Sequence, residues 1–419
     1  MSSFVINGGN KLYGEVSVQS AKNVMLPLIA SCILLDFEVE FLNCPKLYDI
    51  IVMLDIIKSL GGKYRFEGDN LYVDCSNLSN YEIPQDLSSK IRASVFSIGA
   101  ILSRLKKVCF YRPGGCDIGS RPIDMHLSGL RSLGAKYKDD GDAIILDCDN
   151  LSGNEITLRY RSVGVTENLI IAGVLSKGTT IIKNCAKEPE IVCLAEFLNG
   201  LGGKIKGAGT STIIIEGVKR LRPRKRYFTP ITDRIEVGTY ILAVMTIGGE
   251  VLINNADFTH NSALIKKIYN NACKIDLFND KIYVKSVGMG LSHGYLKTAP
   301  YPLFPTDLQP QFSVYSSILK GTTIIEEGVF DGRFRQLEEL KKFGAKITVM
   351  KNTAVIEGVP TLFGAKTKAL DLRGGASMVI AGLKAEGETV IDDVEIISRG
   401  YMDIDKKFNL LGGNIKRKN

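Results

Sequence analysis

The chain of 419 residues has no tryptophan, no apolar run long enough to cross a bilayer, and no close pairs of cysteines spaced as metal ligands. Its longest apolar segment, around residues 24–35, is interrupted by Pro27, and a membrane helix needs about 20 consecutive apolar residues. The start, MSSFVINGG, lacks the basic opening and apolar stretch of an export signal. Neither export nor membrane insertion is expected. Nine cysteines cannot all pair, and most sit in apolar strings such as Val108-Cys109-Phe110, where a thiol packs as a small hydrophobe. A reducing, cytoplasmic setting follows as the expectation. There is no interleaving of aromatic and basic residues and no RNA-binding signature. The 53 basic residues and net charge of +8 therefore suit small phosphorylated substrates better than a nucleic-acid track.

What the chain does have is repetition. Leu60-Gly-Gly-Lys63 returns as Leu133-Gly-Ala-Lys136, Leu201-Gly-Gly-Lys204, Asn271-Ala-Cys-Lys274, Phe343-Gly-Ala-Lys346 and Leu411-Gly-Gly-Asn414. The second residues are spaced by 73, 68, 70, 72 and 68 positions, so six units of about seventy residues tile the protein. Each has an apolar helix-like stretch (residues 96–102, 169–175, 240–247, 312–319 and 378–383 in five of them). A strand opened by glycine follows, as in Gly178-Thr-Thr-Ile-Ile and Gly321-Thr-Thr-Ile-Ile. A second helix then runs to the Leu-Gly-Gly-Lys signal, where glycine takes the left-handed cap conformation, and a hairpin closes the unit. Alternating helices and strands define an α/β protein. With 45% hydrophobic residues the chain can fill two cores.

The last unit ends one strand after Gly412, and the N-terminal Phe4-Val-Ile-Asn-Gly reads like the missing partner, Ala354-Val-Ile-Glu-Gly. The two ends are therefore expected to meet in one domain. Domain one is expected over residues 21–229, and domain two over residues 1–20 with 230–419. The basic stretch 219–230 (KRLRPRKRYFTP) is the crossing point, and a cleft between such halves is a common place for a site.

Function should lie where the units differ. Tyr111–Pro122 reads YRPGGCDIGSRP. A core cysteine belongs in an apolar string, whereas Cys116 sits among glycines with Arg112 and Arg121 nearby, the composition of a mobile loop that meets an anion. Other breaks in the pattern are charged and lie near helix starts, where backbone amides favour anions. They include Lys22-Asn23, Arg92, Arg161, Asp233, Asp307, Arg333, Asp371, Arg373 and Arg399. Each has a structural alternative. Arg161 can be a solvated charge, Asp371 with Arg373 a surface ion pair, Asp233 and Asp307 plain N-caps, and Asp124, His126 and Glu188 internal polar partners.

Taken in order, Ser-Ala-Lys-Asn at 20–23, Pro-Gly-Gly-Cys-x-Ile-Gly-x-Arg-Pro at 113–122, Glu-Pro-Glu-Ile-Val at 188–192, Asp-Arg-Ile-Glu at 233–236, Phe-Pro-Thr-Asp at 304–307, Asp-Leu-Arg at 371–373 and Arg-Gly-Tyr at 399–401 resemble the UDP-N-acetylglucosamine 1-carboxyvinyltransferases, essentially from end to end. The resemblance implies two inside-out α/β domains of three repeats each, the enolpyruvate transferase fold. It implies transfer of the enolpyruvyl group of phosphoenolpyruvate to the 3′-hydroxyl of UDP-N-acetylglucosamine, by addition and elimination through a tetrahedral ketal. No metal and no organic cofactor are implied, and both substrates are small molecules, with no nucleic acid or membrane as partner.

By the same resemblance Cys116 is the general acid and the target of the epoxide fosfomycin. Lys22, Arg121 and Arg399 grip the phosphate, with Asn23 beside them, while Arg333 and Arg373 grip the carboxylate. Asp307 contacts the sugar hydroxyl and is the candidate base. Asn23, Arg92, Arg121, Pro122, Ile123, Asp124, Met125, Tyr160, Arg161, Ser162, Val163 and Val329 fall where the family binds the UDP-sugar. Glu188, Asp233 and Asp371 are supporting residues. The chain departs from many relatives at Phe330-Asp-Gly-Arg-Phe-Arg-Gln336, at Tyr160-Arg161, and at Gly374-Gly375, which is expected to loosen a helix start. Two rival readings remain: a UDP-sugar-binding paralogue with little catalysis, and the sister transferase for shikimate 3-phosphate, which lacks the cysteine loop.

Overall fold

The structure, a computed structural model, describes residues 2–114, 122–139, 141–223, 225–269 and 271–418. The described residues form two compact units: one holds Ser20 to Ile231, and the other runs up to Gln19 and resumes at Thr232.

Among the described residues there are five four-stranded sheets and one of three strands. Each four-stranded sheet has one parallel and two antiparallel junctions. In one, Tyr295–Lys297 runs parallel to Thr322–Glu326, which pairs antiparallel with Thr353–Glu357, which in turn pairs with Lys346–Met350. A hairpin joins Lys346–Met350 to Thr353–Glu357, while the chain passes through the helix Arg335–Lys341 between the other antiparallel pair and through Gln309–Ser316 between the parallel pair. In the three-stranded sheet a single parallel bridge, Glu82 to Cys109, stands where the others have a fourth strand.

The strand Ser3–Asn7 lies between Glu388–Asp392 and Ile415–Lys418, with Val5 opposite both Val390 and Lys416. It occupies the position that Thr353–Glu357 holds in its own sheet. The neighbouring strand Leu12–Ser17 runs parallel to Gly249–Asn254, so the first residues serve two sheets of the same unit.

The six repeat signals are helix ends. Gly61, Gly134, Gly202, Gly344 and Gly412 have φ between 87° and 101°, and Ala272 has φ 55°. At Gly61 the backbone closes as a Schellman cap, with Gly62 N donating to Ile57 O at 3.0 Å. Two units carry the same side-chain brace. Asn199 receives Ile205 N at 2.8 Å and donates back to its carbonyl, and Asn409 does the same with Ile415.

At the centre of each unit three helices pack on one another with the sheets outside them. They are Lys22–Ser31, Phe96–Leu105 and Val163–Gly173 in one unit, and Arg234–Ile247, Gln309–Ser316 and Leu372–Lys384 in the other. Every residue of Gln309–Ser316 is buried, as is all of Arg234–Ile247 after its first residue. A helix buried on all sides needs no polar stripe. Its polar side chains are satisfied locally, as where Ser313 donates to Gln309 O at 3.0 Å.

Two expectations are corrected. The central helices begin several residues before their apolar stretches, at Val163, Arg234, Gln309 and Leu372, because capping rather than apolar density sets the start. Gly374 and Gly375 do not loosen theirs. Asp371 accepts from Arg373 N at 2.9 Å and Gly374 N at 3.1 Å. A Cβ on Gly375 would stand 2.6 Å from Ile397 Cγ1, so glycine there admits a neighbour. Pro27 also lies within the helix Lys22–Ser31 without ending it.

Candidate active site

In the unit resuming at Thr232, two of the three central helices begin at an aspartate, and Asp307 lies two residues before the third. Asp233 caps its helix through Ile235 N at 2.8 Å and Glu236 N at 3.1 Å. Asp371 caps in the same way, buried rather than on the surface. Asp307 lies on the short turn Thr306–Leu308 that leads into Gln309–Ser316. Its carboxylate meets two arginines, with Oδ1 2.5 Å from Arg333 Nη2 and Oδ2 3.4 Å from Arg373 Nη2. Both arginine side chains are nearly inaccessible, at 2% and 3%, while Asp307 is 26% exposed. Arg333 also lies 3.9 Å from Asp371. The cluster thus sets two carboxylates against two guanidiniums, with Asp307 the most exposed member.

The neighbouring chain is fixed by Glu327, which accepts from Thr306 Oγ1 at 2.9 Å, Val329 N at 2.8 Å and Phe330 N at 3.2 Å. Val329 is left exposed beside it. The departure Gln336 is buried and donates to Gln309 at 3.0 Å, so it belongs to the packing under Arg333. Arg399 ends the turn Val394–Arg399 and is half-buried. A Cβ on the next residue, Gly400, would lie 2.6 Å from Leu372 Cδ1 and 3.6 Å from Arg373 Nη1, which explains how the chain passes so close to that guanidinium.

In the unit from Ser20 to Ile231, helix starts carry cations. Lys22 opens its helix, where the macrodipole opposes positive charge, and its Nζ lies 2.8 Å from Asp49. The two side chains are 9% and 6% exposed. Asn23 is half-buried beside it. Arg92 opens another central element and donates from Nη2 to Pro122 O at 3.1 Å. Ser162 caps the third, accepting from Val165 N at 3.4 Å, and Tyr160 and Arg161 are exposed just before it, ahead of Val163. Helix N-termini with basic side chains favour anions.

Asp124 pairs with Arg159, Ile123 is half-buried, and Met125 is buried. His126 is internal, with Nδ1 3.1 Å from Asn168 Nδ2. Asn168 Oδ1 accepts from Gly99 N, so its amide nitrogen donates to the ring and His126 is neutral with its proton on Nε2. Burial, aided by Arg92, pushes this imidazole down to about 3. Glu188 accepts from Lys187 N at 2.9 Å. Burial, with Glu190 and Glu188 nearby, pushes Glu167 well above the usual carboxylate range.

Cys116 and Arg121 lie outside the described residues. Of the eight described cysteines, seven are buried and Cys273 is half-buried. Burial pushes Cys44, Cys75 and Cys193 up to about 12. Among the described residues no group of three His, Cys, Asp or Glu side chains could hold a metal ion, and no helix is long and apolar enough to cross a membrane. Surface hollows of about 510 and 470 Å³ are lined by residues 128–135 and by residues around Asp331–Glu338. Neither lining includes Lys22, Asp307 or Arg373.

Little in the sequence points to Asp49 or Asn168, whose partners are distant in sequence, or to Glu327, which ties the distant Thr306 to its own neighbours Val329 and Phe330. Only the Glu-Glu-Gly before Val329 hinted at one of them.

The chain matches the family model described as EPSP synthase (3-phosphoshikimate 1-carboxyvinyltransferase) over residues 6–408. It is 45% identical over 417 residues to UDP-N-acetylglucosamine 1-carboxyvinyltransferase 2 of Caldanaerobacter subterraneus subsp. tengcongensis, covering 100% of both chains. It is 43% identical over 420 residues to UDP-N-acetylglucosamine 1-carboxyvinyltransferase 1 of Carboxydothermus hydrogenoformans, covering 100% of this chain and 99% of the relative. The fold is that of the enolpyruvyl transferase NikO from Streptomyces tendae, with TM-score 0.89, 23% identity, and coverage of 100% and 99%. The EPSP synthase from Acinetobacter baumannii superposes with TM-score 0.77 at 16% identity, each chain covered completely at 100%.

Proposed function

The chain belongs to the UDP-N-acetylglucosamine 1-carboxyvinyltransferases of the EPSP synthase family, and from that premise we propose how its residues divide the work. It transfers the enolpyruvyl group of phosphoenolpyruvate to the 3′-hydroxyl of UDP-N-acetylglucosamine, releasing phosphate, the first committed step of peptidoglycan synthesis. In the addition, the sugar oxygen bonds to C2 of phosphoenolpyruvate while the methylene carbon takes a proton. In the elimination, that carbon loses a proton, the double bond re-forms and phosphate leaves. The steps need an acid, a base, cations for two anionic groups, and exclusion of water.

Cys116 delivers the proton to the methylene carbon. Asp307 takes the proton of the sugar hydroxyl. Lys22, Arg121 and Arg399 hold the phosphate, with Asn23 beside Lys22, and Arg333 and Arg373 hold the carboxylate, since guanidinium forks bond two oxygens at once. The UDP-sugar lies on Arg92, Pro122–Met125, Tyr160–Val163 and Val329, while Glu188, Asp233 and Asp371 support. The observation that carries this division is the position of Asp307, bonded to both Arg333 and Arg373. Residues 21–229 form one domain of three repeats, and residues 1–20 with 230–419 form the other. The reaction is placed in the cytoplasm, a setting supported by the packing of the described cysteines as buried small hydrophobes.

The test is phosphate release from phosphoenolpyruvate with each acceptor in turn. Release with UDP-N-acetylglucosamine and none with shikimate 3-phosphate is expected. Binding of the UDP-sugar without release would overturn catalysis, and release with shikimate 3-phosphate alone would overturn the acceptor.

A further inference from the structure

Arg373 has a feature that its ion pair with Asp307 does not explain. Its guanidinium is buried, yet Nη1 has no hydrogen-bond partner among the described residues. An unsatisfied buried charged donor is costly, so something must hold the group where it cannot bond inward. A buried acceptor, Gln311 Oε1, is also without a partner. Both groups touch Tyr401. The guanidinium carbon lies 5.1 Å from the centroid of the Tyr401 ring, and Gln311 donates from Nε2 to the Tyr401 hydroxyl at 2.9 Å.

The hydroxyl is held from several sides, by Thr239, by Gln311 and by the Arg373 guanidinium itself. Thr239 Oγ1 donates its single proton to Ile235 O at 2.8 Å. It must therefore accept from Tyr401, 2.9 Å away, and from Gln311 Nε2 at 3.1 Å. Tyr401 thus donates to Thr239 and accepts from Gln311 and from the Arg373 guanidinium. Its ring is pinned by side chains of two central helices while its face supports an arginine on the third. The ring is 1% exposed, so no water competes for that face.

We propose that Tyr401 is a positioning residue for the reaction: its ring holds the Arg373 guanidinium so that Nη1 stays free to receive the carboxylate of phosphoenolpyruvate. This rests on the reading that Arg373 grips that carboxylate. Without the ring the guanidinium can turn toward Gln311 Oε1 and use up the donor internally. A desolvated cation–π contact contributes about 2 kcal/mol, which corresponds to a factor of about 30 in binding.

Steady-state kinetics on the full-length enzyme test it. Replacing Tyr401 by phenylalanines carrying one, two and three ring fluorines keeps the shape and withdraws charge from the ring face. KM for phosphoenolpyruvate should climb with each fluorine, while KM for UDP-N-acetylglucosamine stays within about twofold. Tyr401→Phe should stay within about threefold of the parent, and Tyr401→Leu should raise KM for phosphoenolpyruvate about tenfold or more. A flat response across the fluorine series overturns the proposal, as does a parallel rise in both KM values, which is the mark of a structural role. Arg373→Met separates the two layers. If it leaves KM for phosphoenolpyruvate unchanged, the assignment of Arg373 itself is wrong; if it raises KM while the Tyr401 series is flat, only the inference about Tyr401 fails.

Discussion

Asp307 Oδ1 lies 2.5 Å from Arg333 Nη2, with the arginine buried and the aspartate a quarter exposed. The second carboxylate oxygen reaches Arg373 at 3.4 Å. Asp307 therefore occupies the two cations proposed for the carboxylate of phosphoenolpyruvate, and one anion must yield to the other. Asp307→Asn should lower kcat by about 10² to 10⁴, the contribution of a positioned general base, without raising KM for phosphoenolpyruvate. A raised KM with kcat preserved would place Asp307 in binding rather than in proton transfer.

Lys22 and Asp49 form a pair in which neither side chain is more than 9% exposed. Removing one partner of a buried pair costs about 3–5 kcal/mol. Asp49→Ala should destabilise the protein by about that much in urea unfolding. The double replacement Lys22→Met with Asp49→Leu should recover most of the stability and none of the activity. A double variant as active as the parent would remove Lys22 from the site.

Every described cysteine is at least half-buried, and burial holds several thiols well above their ordinary range. Alkylation of the native enzyme by fosfomycin should therefore fall on Cys116, read by peptide mass analysis. Cys116→Ala should not be alkylated and should lose turnover. Modification of that variant at another cysteine would contradict the assignment.

His126 is neutral when folded, and its imidazole is pushed down to about 3, against about 6.5 in an unfolded chain. Between these values the unfolded state binds the extra proton. Stability is full above pH 6.5 and should fall by about 1.4 kcal/mol per pH unit as the pH drops toward 3. His126→Gln should lack that component of the acid slope. Identical slopes for parent and variant would show that the ring is not buried neutral.

Ala272 holds the left-handed position that glycine holds at the five other repeat turns, with φ 55°. Ala272→Gly should stabilise by about 0.5–1 kcal/mol, because a Cβ is disfavoured there. Gly344→Ala, with φ 87° in the parent, should destabilise by a similar amount. The pair of melting curves checks both.

The left-handed turns were legible in the sequence because one steric requirement leaves one residue type, glycine, at a fixed distance from lysine. Even Ala272 could be placed, by spacing rather than identity. The central helices were only half legible. Buried on every side, Gln309–Ser316 has no stripe to read, and its polar residues resemble a surface. Within the site, Asp233, Asp307 and Asp371 stood out as charges at helix starts. Their different uses did not, since a capping carboxylate and one paired with two arginines are the same letter. Asp49 was invisible because nothing local marks it; only the fold brings it to Lys22. Tyr401 was read as part of a motif, and its role appears only with the hydrogen bonds to Thr239 and Gln311.

The most direct test of the account is mass analysis, with position-resolved NMR, of the UDP-sugar formed when the full-length protein is given phosphoenolpyruvate and UDP-N-acetylglucosamine. The account predicts UDP-N-acetylglucosamine carrying an enolpyruvyl ether on its 3′ oxygen, with one phosphate released per sugar consumed. An unchanged UDP-sugar, or an adduct at any other oxygen, would contradict it.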